Sequence, residues 1–128
     1  MLQEELVTYE VAKLAKEKGF PQHIGNDAYV VENEYDDKYE VECHYPIQFI
    51  PDYLPTIAAP TQSLLQRWLR EEKGIDIEIY PIYIEVVAKE YTCCIYAPQL
   101  NKPKKFGYFN TYELVLEDAL KYALENLV

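Results

Sequence analysis

The sequence predicts an α+β fold, an antiparallel β-sheet with about three helices packed on one face, in the order α-β-β-α-β-β-(β)-α. Three observations carry this. The stretch Ala59–Tyr80 joins a compact helical pattern, ended by Gly74, directly to the alternation Ile75-Asp76-Ile77-Glu78-Ile79-Tyr80. The run Tyr83–Ala97 is β-branched and aromatic throughout, as half-buried strands are. Two further segments, one near each end of the chain, repeat apolar residues at helical spacing.

The first helix is expected from a Thr8 cap to Lys18, with Gly19 as its stop. It places Val7, Val11, Leu14 and Ala15 on one face and Glu10, Lys13, Lys16 and Glu17 toward water. After Gly25-Asn26-Asp27 comes a strand pair. With Asp36-Asp37-Lys38 as its loop, Tyr35/Tyr39, Asn33/Val41, Val31/Cys43 and Tyr29/Tyr45 share one face. Glu34/Glu40, Glu32/Glu42 and Val30/His44 then share the other.

Ile47–Pro60 carries Pro51, Pro55 and Pro60 and reads as a connection, with a short edge strand at Gln48–Ile50 and Pro60 at the first position of the next helix. That helix buries Leu64, Leu65, Trp68 and Leu69 and exposes Gln62, Gln66, Arg67 and Arg70. Pro81 marks an edge or a bulge in the following strand. A turn is expected near Ala88–Glu90, a loop at Lys102-Pro103-Lys104-Lys105 and a short strand at Phe106–Phe109. Asn110 and Glu113 form a capping box for the last helix, which buries Leu116, Ala119, Leu120, Ala123, Leu124 and Leu127.

At 128 residues and 49% hydrophobic content the chain is expected to form a single domain, with an acidic α-β-β half over 1–58 and an α-β-β-(β)-α half over 59–128. Twelve Asp/Glu against four Lys give residues 1–58 a net charge of −8; ten against eight give the rest −2. A chain at −10 repels a phosphate backbone and favours a basic protein partner. The start Met1-Leu2-Gln3-Glu4-Glu5 lacks a signal peptide's basic and apolar regions, and no apolar run reaches the ~20 residues of a membrane span. A cytoplasmic protein is therefore expected, with the three cysteines reduced. Thirteen tyrosines are many for this length. Most are expected on sheets, and any excess left on the surface would point to recognition.

Two resemblances add to this reading. The segments Leu6–Phe20 and Ala59–Glu71, with Ala-Pro-Thr-Gln-Ser-Leu-Leu-Gln in the second, resemble a family of small proteins found in genomes and prophages of gut Bacteroidales. The final Thr-Tyr-Glu helix is similar too. This resemblance implies an accessory protein of a mobile element and assigns no activity. Residues 60–127, read as α-β-β-β-α, resemble the element order of a double-stranded-RNA-binding domain. Such domains set lysines at the start of the last helix. Here Glu113 stands at that position, with Lys102, Lys104 and Lys105 upstream.

The candidate sites follow from charge and spacing. In the register above, Glu32, Glu34, Glu40 and Glu42 form two opposed like-charge pairs on one face. A solvated face, a basic partner surface or a hard cation each fits, and the partner surface is the functional reading taken. The rival is nucleic-acid binding through Arg67, Arg70, Lys102, Lys104 and Lys105. Arg67, Arg70 and Lys73 also form a stripe that could meet the acidic face of a second copy, giving a salt-sensitive homo-oligomer. Cys43-His44 and Cys93-Cys94 do not suit zinc, because strand neighbours point to opposite faces and no C-x₂-C or H-x₃-H pair exists. With two histidines, Ser63 inside a helix and four scattered glycines, neither a nucleophilic site nor a phosphate loop is nominated. No enzyme, metal or cofactor is expected.

Overall fold

A computed structural model of the chain describes residues 4–30, 44–50, 55–85 and 88–128. It has three helices and two three-stranded antiparallel sheets, and divides into two compact units, Met1–Thr61 and Gln62–Val128. The division falls three residues beyond the expected boundary between the acidic and C-terminal halves.

In the first unit, helix α1 spans Tyr9–Glu17, and the Thr8 Oγ1 accepts from the Val11 N–H at 3.3 Å. Its end is a double backbone closure. Gly19 N–H reaches the Lys16 carbonyl at 3.2 Å and Phe20 N–H the Ala15 carbonyl at 2.9 Å. This needs the left-handed backbone that Gly19 supplies at φ +97°. The buried stripe is rotated from the expected one: Tyr9 and Ala12 join Val7, Val11 and Ala15 in the core, while Leu14 is half-buried. Aromatic packing explains this, since the Tyr9 ring meets Tyr29 edge-on at 5.5 Å and the Tyr29 hydroxyl donates to the Val7 carbonyl at 2.6 Å.

The first sheet has the order β2-β1-β3, with β1 at Asp27–Val30, β2 at His44–Pro46 and β3 at Thr56–Ala58. Three expectations are corrected here. Gln48–Ile50 is no edge strand: Ile47–Phe49 forms a 3₁₀ turn, and the second edge of the sheet is β3, set between Pro55 and Pro60. The register of β1 on β2 is Ala28↔Tyr45 and Tyr29↔His44, one residue off the expected Tyr29/Tyr45 and Val30/His44. The expected register relied on face alternation. β1 is a central strand whose Ala28, Tyr29 and Val30 are all buried, so it has no polar side to lock the pairing. Finally, Pro60 precedes α2 instead of opening it; its carbonyl accepts from Val7 N–H at 3.0 Å.

The second unit runs α2 (Gln62–Lys73), β4 (Asp76–Ile84), β5 (Ala88–Tyr96), β6 (Lys104–Lys105) and α3 (Tyr112–Asn126). The sheet is a meander in the order β4-β5-β6; α2 packs on β4 and α3, and α3 packs on β4 and β5. Leu65, Leu69, Ile75, Ile77, Cys93, Ile95, Val115, Leu116, Ala119, Leu120, Ala123 and Leu124 form the core. Leu64, Trp68 and Leu127, expected inside, are half-buried.

Gln62 reverses its expected exposure. It is buried, donating through its amide to the Glu113 carbonyl and the Glu117 Oε2, each at 2.9 Å. Gln66 is half-buried and donates to the Ile77 carbonyl at 2.9 Å. Pro81 stands inside β4 opposite Tyr91. The Tyr91 N–H and C=O both bond Phe109 on the other side at 2.8 Å, so Tyr91 asks nothing of Pro81, and the ring sits on an edge strand with no donor missing.

The hairpin turn lies before Ala88, with Glu85 at φ +57°, so Ala88–Glu90 belong to β5 and are no turn. Lys104 and Lys105 form β6 where a loop was expected, and Phe109 makes a single bridge to Tyr91. The last cap is Thr111, whose Oγ1 accepts from Leu114 N–H at 3.1 Å. This moves the helix start one residue on from Asn110 and puts Leu114, not Glu113, at the box position.

Candidate interaction surface

The β4–β5 register sorts the sheet of the second unit into two faces. Ile77↔Ile95 and Ile79↔Cys93 face the helices. Asp76↔Tyr96, Glu78↔Cys94, Tyr80↔Thr92 and Ile82↔Glu90 face away, joined by Lys105 opposite Cys94. On this outer face Asp76, Glu78, Tyr80, Tyr96 and Lys105 are exposed, and Ile82, Glu90, Thr92 and Cys94 are half-buried.

At its centre is a hydrogen-bonded group of three. The Tyr80 hydroxyl donates to the Glu78 carboxylate, and the Tyr96 hydroxyl is its second partner. The bond to Glu78, then the one to Tyr96, raises the Tyr80 phenol above its ordinary range and keeps it protonated. Glu78 is two residues from Tyr80 on β4, and its partner Cys94 is two residues from Tyr96 on β5. Tyr80 and Tyr96 are each 38% exposed. Among the described residues no lysine or arginine pairs with Asp76, Glu78 or Glu90.

A second aromatic group sits at the end of the other face. Lys89 Nζ lies 5.8 Å from the Tyr83 ring and 5.1 Å from the Tyr91 ring, and Tyr91 meets Tyr112 edge-on at 6.0 Å. Hydrogen bonding to Tyr91 raises the Lys89 ammonium. A shallow depression of about 180 Å³ beside α3 is lined by Phe106, Asp118, Lys121, Tyr122, Glu125 and Asn126, with Lys121 turned to Glu125 at 3.9 Å.

The sequence-nominated residues fare unevenly. Glu32, Glu34, Glu40 and Glu42 lie outside the described residues, as does Cys43. Arg67 and Arg70 are exposed on α2, Arg67 paired with Glu71 at 3.0 Å. Lys102 is exposed beyond β5. Lys104 and Lys105 are strand neighbours and divide between the two faces. Lys104 Nζ stands 5.3 Å from the Tyr122 ring and 5.8 Å from Phe106, while Lys105 is level with Cys94. Because α2 packs over β4 and β6 is the opposite edge, the five cations are not gathered into one patch.

Cys93 is fully buried, and burial, with smaller effects of Cys94 and Asp118, pushes its thiol up to about 12. Cys94 points to the outer face, so the adjacent pair presents one thiol to each side of the sheet.

Sequence reasoning missed the Glu78–Tyr80–Tyr96 group. Asp76, Glu78 and Tyr80 were visible as the polar side of β4, but bringing Tyr96 to them requires the β4–β5 register, which depended on the misplaced turn. The second unit has the α-β-β-β-α order on which the resemblance to double-stranded-RNA-binding domains rested. No family model matches the chain, and comparison with curated proteins and with solved structures found no significant match.

Proposed function

We propose that this chain is a protein-interaction module whose partner is a basic protein. One observation carries the reading: of the ten tyrosines described, six (Tyr45, Tyr80, Tyr83, Tyr96, Tyr108 and Tyr112) are exposed, two are half-buried, and only Tyr9 and Tyr29 are in the core. Exposed tyrosine offers large, rigid contact area with one polar tip, the composition that recognition surfaces favour. The net charge of −10 selects the sign of the partner. On the resemblance noted in the sequence, such a module would serve a mobile element as an accessory protein. Glu32, Glu34, Glu40 and Glu42 are candidate contacts alongside the tyrosines.

The test is binding at ~150 mM salt, where the screening length is about 8 Å, of the full chain to protamine and to a short duplex RNA. Saturable protamine binding with no RNA binding is expected. Reversing Glu32, Glu34, Glu40 and Glu42 to lysine reports the share of those carboxylates. Retention of the RNA, lost on reversing Arg67, Arg70, Lys102, Lys104 and Lys105, would overturn the proposal in favour of a nucleic-acid-binding domain.

A further inference from the structure

The outer face of the β4-β5-β6 sheet is exposed at Asp76, Glu78 and Tyr80, carries carboxylates without cationic partners among the described residues, and has Tyr80 tied to Glu78. Each property narrows the occupant. Exposed tyrosine rings attract cations and flat groups through their π-faces. The Glu78 carboxylate accepts from Tyr80 and keeps further lone-pair capacity for a donor arriving from solvent. Asp76, two residues before it on the same strand, repeats a carboxylate at a spacing of roughly 6.6–6.8 Å. Glu90 adds a third negative group opposite Ile82.

A side chain that stacks on a ring and forks onto a carboxylate is arginine. Its guanidinium is flat, weakly hydrated and rich in paired donors, whereas lysine's ammonium is a compact, strongly hydrated charge. The alternate-residue spacing of Asp76 and Glu78 equals that of an extended peptide, so two arginines at alternate positions meet both carboxylates without bending the segment.

We infer that this face, centred on Glu78, Tyr80 and Tyr96, docks an extended segment of a basic protein that carries arginines at alternate positions. The inference rests on the basic-partner reading above and adds to it a site and a side-chain preference. Preorganisation is part of the argument: the Tyr80–Glu78 bond holds those two side chains before the partner arrives, removing an ordering cost that loose side chains would carry.

The probe is a short fluorescein-labelled peptide with arginine at alternate positions, compared with its lysine counterpart by anisotropy on the full chain. The arginine peptide is expected to bind at least about fivefold more tightly. Glu78→Gln should weaken it about tenfold, the loss of one charge-assisted bond. Tyr80→Ser should weaken it several-fold, and Tyr80→Phe, which keeps the ring, should cost less; Tyr80→Phe decides the matter if Tyr80→Ser fails to fold. Glu72→Gln on the exposed side of α2 removes the same charge elsewhere and should leave binding unchanged. Equal losses for Glu78→Gln and Glu72→Gln, or equal affinity for both peptides, would overturn the site while leaving the basic-partner reading standing. Protamine binding with no peptide binding would likewise overturn the site alone, and failure of the wild-type chain to bind either ends both.

Discussion

At the scale of single residues, Cys93 and Cys94 show how one backbone step changes a side chain's chemistry. Cys93 has no exposed surface and its thiol is held up to about 12 by desolvation; Cys94, its neighbour on β5, is half-exposed on the outer face. A thiol reacts through its thiolate, so Cys93 should resist alkylation in the folded chain while Cys94 reacts. The same burial makes stability depend on pH, and its sign is fixed by which state holds the proton. An unfolded thiol loses its proton near 9, whereas the folded one keeps it to about 12. The native state thus binds more protons across that window, and stability present below pH 9 falls as pH rises through it, by at most about 1.4 kcal/mol per pH unit for one group. Urea midpoints for wild type and Cys93→Ala between pH 7.5 and 10.5 isolate this slope, because the other titrating groups are common to both. The gap between the two curves should narrow with rising pH, and parallel curves would refute the assignment.

Between elements, the informative contact is Gln62, at the first turn of α2, clasping α3 through the Glu113 carbonyl and the Glu117 carboxylate. Gln62→Ala removes a buried amide and the two bonds it makes to α3, one of them to a carboxylate, so it should cost about 1–3 kcal/mol in urea unfolding. Arg67→Ala, which breaks an exposed i,i+4 pair on the same helix, should stay within about 0.5 kcal/mol. Near-equal losses would mean the clasp contributes no more than a surface pair. Gln62 also marks the limit of what sequence makes legible. The helices were readable because their signals are local: Thr8 and Gly19 bound α1, Gly74 ends α2, and apolar spacing along α3 names its core. Gln62 was misassigned because a helical wheel knows nothing of the neighbouring helix. β3 was missed because its three residues lie between prolines and acquire strand character only by pairing with β1. The Glu78–Tyr80–Tyr96 group was half legible, as a polar stripe whose cross-strand partner depended on register.

For the whole molecule, charge is unequally shared between the two units, and this asymmetry sets where the chain should open first. The first unit carries the net −8 of residues 1–58. The second holds two paired nine-residue strands under two helices, with a net charge of −2 over residues 59–128. In the second unit Cys93, Ile95, Val115, Leu120 and Leu124 are fully buried. Local opening costs least where apolar burial is sparse, and like charges add self-repulsion that salt screens. Hydrogen exchange should therefore be slowest at the central-strand amides Cys93–Ile95 and in the middle of α3, and fastest among the strands at β2. Raising salt from ~10 to ~150 mM shortens the screening length from about 30 to about 8 Å. It should slow exchange in β1 and β3 more than in β5. Equal protection of the two sheets, or a salt response confined to the second, would show that charge does not govern which unit yields first.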